Sequence, residues 1–323
     1  MDIQKDKSNT KLQNSVKNPA QFKGKAWIEI FKRVATQIKK DNVQIVAAGV
    51  AFYFFLALFP AIAAIFSIYG LVVEPAQVSE QMSQIATFLP DQASGLISNI
   101  LEKTAGKSQE TLGWSLVLSI LLSLWSSKKA ISAVFEGVNI AYNESDDRGF
   151  IKKTAITLLF TIGGIILGIL SIAFVLGFPA VVDKLNLPMV LEMVFAILRW
   201  VILAAIIMFS LALIYKIAPD RDNPKFRWVT WGTVLATVFW LGGSLLFTFY
   251  VNNFGNYDKT YGSIAAVIIL LLWFFLTGFI ILIGAEINSE MEHQTRADTT
   301  VGDPEPLGER GAFYADRVAD KNK

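Results

Sequence analysis

Apolar residues gather in six runs separated by polar links, at about 45–73, 112–135, 154–182, 190–215, 228–251 and 263–287. A helix rises 1.5 Å per residue and a bilayer core is about 30 Å thick, so roughly 20 apolar residues cross it. Each run predicts a transmembrane helix. Together they predict an all-α integral membrane protein, a bundle of six transmembrane helices, because backbone polar groups in lipid must be satisfied within each segment. The last run is fed by a polar outer turn, 252–262, shaped by Tyr257, Tyr261 and Gly262. It ends on Glu286, Asn288, Glu290 and Glu292, read as a return to water; Glu286 and Asn288 mark the inner end of this span and are expected to partner Lys128 or Lys129.

The second run behaves differently. Leu112 to Ser127 is free of charge for only 16 residues, about 24 Å of helix. Lys128 and Lys129 follow at once, yet Ile131, Val134, Phe135, Val138 and Ile140 continue a helical stripe. The spacing predicts a helix that projects beyond the membrane with the two lysines snorkelling at the interface.

Around the six spans lie three other kinds of segment. Residues 1–44 form a basic cytoplasmic tail in which Trp27, Phe31, Val34 and Ile38 recur at helical spacing among lysines. That pattern predicts a short amphipathic helix, lying either on an anionic membrane face or against the protein itself. Residues 76–110 carry two shorter apolar stripes broken by Pro90 and predict short helices over the outer face. Residues 293–323 are polar, with Gly302, Pro304, Pro306, Gly308 and Gly311, and read as a poorly ordered tail. The division is thus 1–44, a transmembrane domain 45–292, and 293–323.

Single residues inside the spans carry the remaining signal. Pro60 breaks the hydrogen-bond ladder in mid-span and predicts a kink, which serves either packing or a cavity. Gly49 and its alanine neighbours, and the pair Gly164 and Gly168, fit close helix approach. Ser115, Ser119, Ser123 and Ser127 share one face at four-residue spacing. Arg199 lies well inside the fourth span. A charge at that depth is costly, so it either snorkels towards Glu192 or Asp183 or meets an anion.

Composition agrees with the membrane reading. The 323 residues are 53% hydrophobic and 17% charged, against about a quarter charged in soluble domains. Cysteine is absent and histidine occurs once, at His293, which removes disulfide, thiolate and Cys-ligand chemistry. No metal site, cofactor motif or P-loop is visible. The net charge of +2 hides an asymmetry: twenty-four of the 29 Lys and Arg residues fall in segments 1–44, 128–153, 216–227 and 293–323, and four in the alternate links. Positive residues stay inside, so both termini are expected to be cytoplasmic and 74–111, 183–189 and 252–262 outside.

Four stretches, AAGVAFYFFLALFPAIAAIFSIYG (47–70), SLWSSKKAISAVFEGVNIAYN (123–143), YKIAPD (215–220) and FGNYDKTYGSIAAVIILLLWFFLTGFIILIGAEINSE (254–290), resemble the YihY/BrkB family of bacterial inner-membrane proteins. The resemblance implies a six-helix inner-membrane protein. One branch of that family carries a virulence-factor label, and the family was long labelled ribonuclease BN. A metal-dependent nuclease needs clustered His and carboxylate ligands, and one histidine without cysteine or a soluble domain does not supply them. Ribonuclease activity and nucleic-acid binding are therefore rejected, and no enzyme is expected. Glu286 and Glu290, four apart, would be the pair to test if it were one.

Two functions remain. The first is a transporter, channel or lipid-translocating protein for an anionic lipid or other anion, with Arg199, Lys128 and Lys129 as contacts. The second is a non-transporting structural or regulatory envelope protein. Anionic membrane lipids are the expected partners in the first. A homo-oligomer and envelope partner proteins stay open in either.

Overall fold

The computed structural model describes residues 16–72, 109–183, 188–254 and 264–319. The stripes at 76–110 and the outer turn with Tyr257, Tyr261 and Gly262 lie outside the described residues. Seven α-helices run through the described chain, and among those residues there is no strand: α1 Gly24–Lys40, α2 Val43–Val72, α3 Gln109–Tyr142, α4 Phe150–Asp183, α5 Met189–Ile217, α6 Phe226–Phe254 and α7 Ile264–His293. Six of them, α2 to α7, are long and apolar enough to cross a membrane. Their outward side chains are large and apolar. Leu159 is 69% exposed and Leu245 73%, a pattern that water does not tolerate over whole helices but lipid does.

Two compact units divide the chain, Met1–Ala51 with Ile131–Lys323, and Phe52–Ala130. The second holds most of α2 and the first part of α3. There α2 continues as helix through Pro60, and Phe55 meets Phe59 edge-on at 5.1 Å between ring centres. Of the four-residue serine row, Ser119 is buried, and Ser126 beside it is buried as well. The helix runs on past Lys128 and Lys129 to Tyr142, as the continuing stripe predicts. Lys129 lies 6.0 Å from the Trp125 ring centre.

In the first unit, α1 packs on the protein. Ala26, Ile30 and Val34 are buried with Phe22 against Trp228, Ile287 and Met291. Of the expected stripe, Val34 is buried and Trp27 and Ile38 pack half-buried against the cluster, but Phe31 is 42% exposed and stacks on Trp27. Trp228 at the start of α6 is fully buried in this cluster. Asn42, with φ 51°, separates α1 from α2, and Asn143, with φ 54°, closes α3. Asn tolerates this left-handed geometry better than most residues, so each serves as a sharp helix stop.

The links are tied together. Arg148 pairs with Asp146 at 2.7 Å and donates to the carbonyls of Ile217 and Ala218 at the end of α5, where the helix dipole favours a cation. Asn139 accepts from the Asp220 amide at 2.8 Å. Residues 293–319, expected to be poorly ordered, are folded onto these links. Val301 donates to Asn223, Lys225 to Thr299, and Asp222 to Gly311. Phe313 donates to Glu144. Arg310 is buried and gives three hydrogen bonds, to the carbonyls of Glu305, Ala315 and Arg296. Glycine and proline here make tight turns around that guanidinium rather than a loose tail.

The close helix approaches are not at the glycines expected to make them. A Cβ on Gly49, Gly164 or Gly168 would meet no heavy atom within 4 Å. Gly164 and Gly168 are exposed and Gly49 is half-buried without a close neighbour; small residues on a helix signal approach only when that face is turned to a neighbour. A tight crossing, backbone against backbone, lies between α6 and α7. A Cβ on Gly232 would collide with the Gly284 carbonyl and the Asn288 side chain, and one on Gly284 with the Tyr215 hydroxyl and Ala236. Gly232→Ala or Gly284→Ala is expected to cost about 1–3 kcal/mol through overpacking, read as a lower melting temperature of the purified protein, whereas Gly164→Ala should leave it unchanged. A Gly284→Ala protein that melts like wild type would refute the crossing.

Candidate functional site

Helices usually leave the membrane on a polar, solvated end. In α7 every residue from Gly284 to Glu292 is buried. Glu286, Asn288 and Glu292 are at most marginally accessible and Glu290 is 1% exposed. The expected return to water does not occur, because α1, α6 and the folded tail enclose this end. Three glutamates thus sit at the C-terminal end of a helix, where the dipole already disfavours negative charge. Each must find a cation, a donor or a proton.

Spacing divides them into two faces. At 100° per residue, Glu286 and Glu290 lie together and Asn288 and Glu292 lie roughly opposite. On the second face, Asn288 turns to α6, where its Oδ1 accepts from the Gly232 amide at 2.8 Å. Arg221 pairs with Glu292 at 2.8 Å, with both side chains at 0% exposure. The Thr299 hydroxyl of the tail also donates to Glu292 at 2.8 Å. The guanidinium lies 4.9 Å from the Tyr142 ring centre. Burial works against the charge on Arg221, but the Glu292 carboxylate holds its pKa above the ordinary value. Tyr215 donates to the Ile281 carbonyl at 2.8 Å and fastens α5 to α7 about two turns before Asn288.

The first face meets α1. Arg33 pairs with Glu290 through Nε and reaches Gln294 with Nη2 at 2.6 Å. His293 Nδ1 lies 3.3 Å from the same Glu290 oxygen, and its ring sits 4.8 Å from that of Tyr314. Glu290 is therefore well matched. Glu286 is not. Neither of its oxygens meets a donor, and the group within hydrogen-bonding reach is another carboxyl, that of Asp41 at the end of α1. Among the described residues no group of three His, Asp or Glu side chains could hold a metal ion.

The other residues singled out in the sequence are scattered. Arg199 is half-buried in α5, 5.4 Å from the Trp200 ring centre, with no ion pair among the described residues and no partner for its Nε. Exposed Glu192 does not reach it, and the side chain of Asp183 lies outside the described residues. Lys128 and Lys129 fall in the other unit. Sequence reasoning overlooked Arg33, Asp41 and Arg221. The signal for a partnered helix end was the doubled four-residue spacing of Glu286 with Glu290 and Asn288 with Glu292. Nothing local told which distant cations would meet it.

Breaking the buried pair is costly because it strands a charge. Arg221→Met is expected to destabilise the fold by about 3–5 kcal/mol, while the double change Arg221→Met with Glu292→Met should recover most of that. Thermal denaturation of the three proteins checks it; a double variant no better than the single one would show that the pair is not what holds this face.

A family model described as "Virulence factor BrkB" matches residues 34–306. A ribonuclease-like protein of Bacillus subtilis, YfkH, is 31% identical over 75% of this chain and 88% of its own. UPF0761 membrane proteins of Haemophilus influenzae and Cronobacter sakazakii are 24% and 25% identical, over 79% and 81% of this chain and 92% and 87% of theirs. No solved structure matches the chain. The matched region contains all six apolar helices and the enclosed end of the last one, and the chain belongs to the BrkB family of multi-pass membrane proteins.

Proposed function

We propose that this chain is a transporter, channel or lipid-translocating protein, and that its cargo is an anionic lipid or another anion. Arg199 carries the reading. A guanidinium within an apolar helix, with an unmatched N–H, favours an anion as its partner. Ile206 and Ser210 each lie within about 20° of Arg199 around α5, one to either side. Ile206 and Ser210 line a cavity of about 270 Å³ that α4, α5, α6 and α7 enclose, together with Gly168, Ala236 and Trp240. An acyl chain fits an apolar notch of that kind, and a headgroup phosphate suits the planar fork of arginine some turns along the same face. Lys128 and Lys129 would be further anion contacts.

We also infer that both termini are cytoplasmic in a bacterial inner membrane. The Lys and Arg asymmetry supports it, as does the meeting of the two ends of the chain, where Thr295 donates to the Val16 carbonyl at 2.6 Å. The ribonuclease-like name belongs to the Bacillus relative. In this chain we read no nuclease, since its single histidine is turned to Glu290 and Tyr314. A non-transporting role in the envelope is the second reading. It draws on the locked tail, a rigid polar platform with no need to move.

The test is flux in liposomes holding the purified chain, with tagged anionic lipid and a chloride-sensitive dye in parallel preparations. Flux above empty liposomes is expected for one cargo. Arg199→Ala should lower it by about tenfold or more, the worth of one charge-assisted hydrogen bond. Folded protein without flux of either kind would overturn the transport reading in favour of the envelope role.

A further inference from the structure

The Glu286 and Asp41 carboxyls face each other at the joint between α1, α2 and α7. Glu286 is sealed at 0% exposure, and Asp41 in front of it is half-buried. The cations nearby serve other groups or stand at a distance. Arg33 and His293 are committed to Glu290. Lys40 acts on both carboxyls through space, its side chain remaining exposed. Glu290 adds further negative charge from α7, and the Tyr314 hydroxyl of the tail faces the same cluster while accepting from Gln37. Two carboxylates in reach of one another repel, and they form a hydrogen bond only when one carries a proton. Both Glu286 oxygens otherwise stay unmatched in a sealed site, a cost that proteins avoid.

We propose that Asp41 and Glu286 together hold one proton, forming a proton-binding site at the enclosed end of the last span, with Asp41 as its portal to solvent. Binding adds one proton and removes one negative charge from the pair, with no other reactant. Losing that proton leaves two facing anions. Asp41 is then pushed from Glu286, and the joint that yields is its neighbour Asn42, the left-handed residue between α1 and α2. The ligand is thus a proton, and what it holds closed is the contact of the basic helix α1 with α7. This site stands apart from Arg199 and does not depend on the cargo.

The environment of Asp41 agrees. Burial raises its pKa, and Glu290 raises it further; Lys40 and the hydrogen bond to Glu286 act the other way without cancelling the rise. A group whose folded pKa is raised stabilises the fold fully below its unfolded value, about 4. That stability is lost as pH climbs through the raised value.

The test uses the full chain in nanodiscs of neutral lipid. Infrared spectra at pH 7 are expected to show a protonated carboxyl carbonyl band that shifts in D₂O. Glu286→Gln should abolish it and Asp41→Asn should abolish or shift it. Glutamine keeps a donor towards Asp41, so Glu286→Gln should fold. Its melting temperature should stay flat over a pH range in which that of the wild type falls from the acid side upward. No such band in the wild type, or a band indifferent to both substitutions, overturns the proposal. So does a wild-type pH profile that the Glu286→Gln protein reproduces.

Discussion

A helix end that carries three glutamates and is sealed from water must be answered by other parts of the chain. That requirement organises the described structure. Glu290 is answered by Arg33 from α1, Glu292 by Arg221 from the link before α6 and by Thr299 from the tail, and Glu286 by Asp41. Each answer recruits a segment distant in sequence. Satisfying the three carboxylates therefore helps to fix the positions of α1, the α5–α6 link and the tail at once, alongside the apolar cluster of Phe22, Ile30, Trp228 and Met291.

The same end shows why packing and polarity are inseparable here. Gly232 and Gly284 let α6 and α7 approach until a backbone amide reaches the Asn288 side chain. Tyr215 ties α5 to the neighbouring turn. Between helices surrounded by lipid there is little hydrophobic drive to associate, so close backbone contact and shared hydrogen bonds take its place. Higher in the spans, threonines are satisfied within their own helices, as Thr157, Thr161 and Thr237 donate four residues back. The Trp240 to Thr277 hydrogen bond links α6 and α7 there.

The two proposed sites lie in different places. Arg199 and the neighbouring cavity lie along α5 and offer a charge and an apolar notch on one helix face. The enclosed end of α7 offers buried carboxylates in contrasting states: two are matched by cations, and one faces a second carboxyl. The first arrangement suits recognition of an anion with an apolar body. The second suits a proton, because a proton is what lets two carboxyls share one sealed space.

Much of this protein was legible in its sequence, for a physical reason. Lipid cannot satisfy backbone polar groups, so an apolar run of sufficient length has one solution, and the six spans follow from length and hydropathy alone. The extension of α3 past Lys128 and Lys129 followed too, since Ile131 and Val134 keep the helical period. Family membership was written in local motifs such as SLWSSKK. The sequence could not say which faces are covered. Gly164 and Gly168 look like packing glycines but have no close neighbour, while Gly232 and Gly284 make a tight crossing. A tail rich in Gly and Pro looks loose, yet it folds around Arg310. Glu286 to Glu292 look like a solvated exit and are buried. Burial of a polar helix end depends on Arg33, Asp41, Arg221 and Thr299, which lie from seven to more than 250 positions away, and only the tertiary fold brings their charges to it.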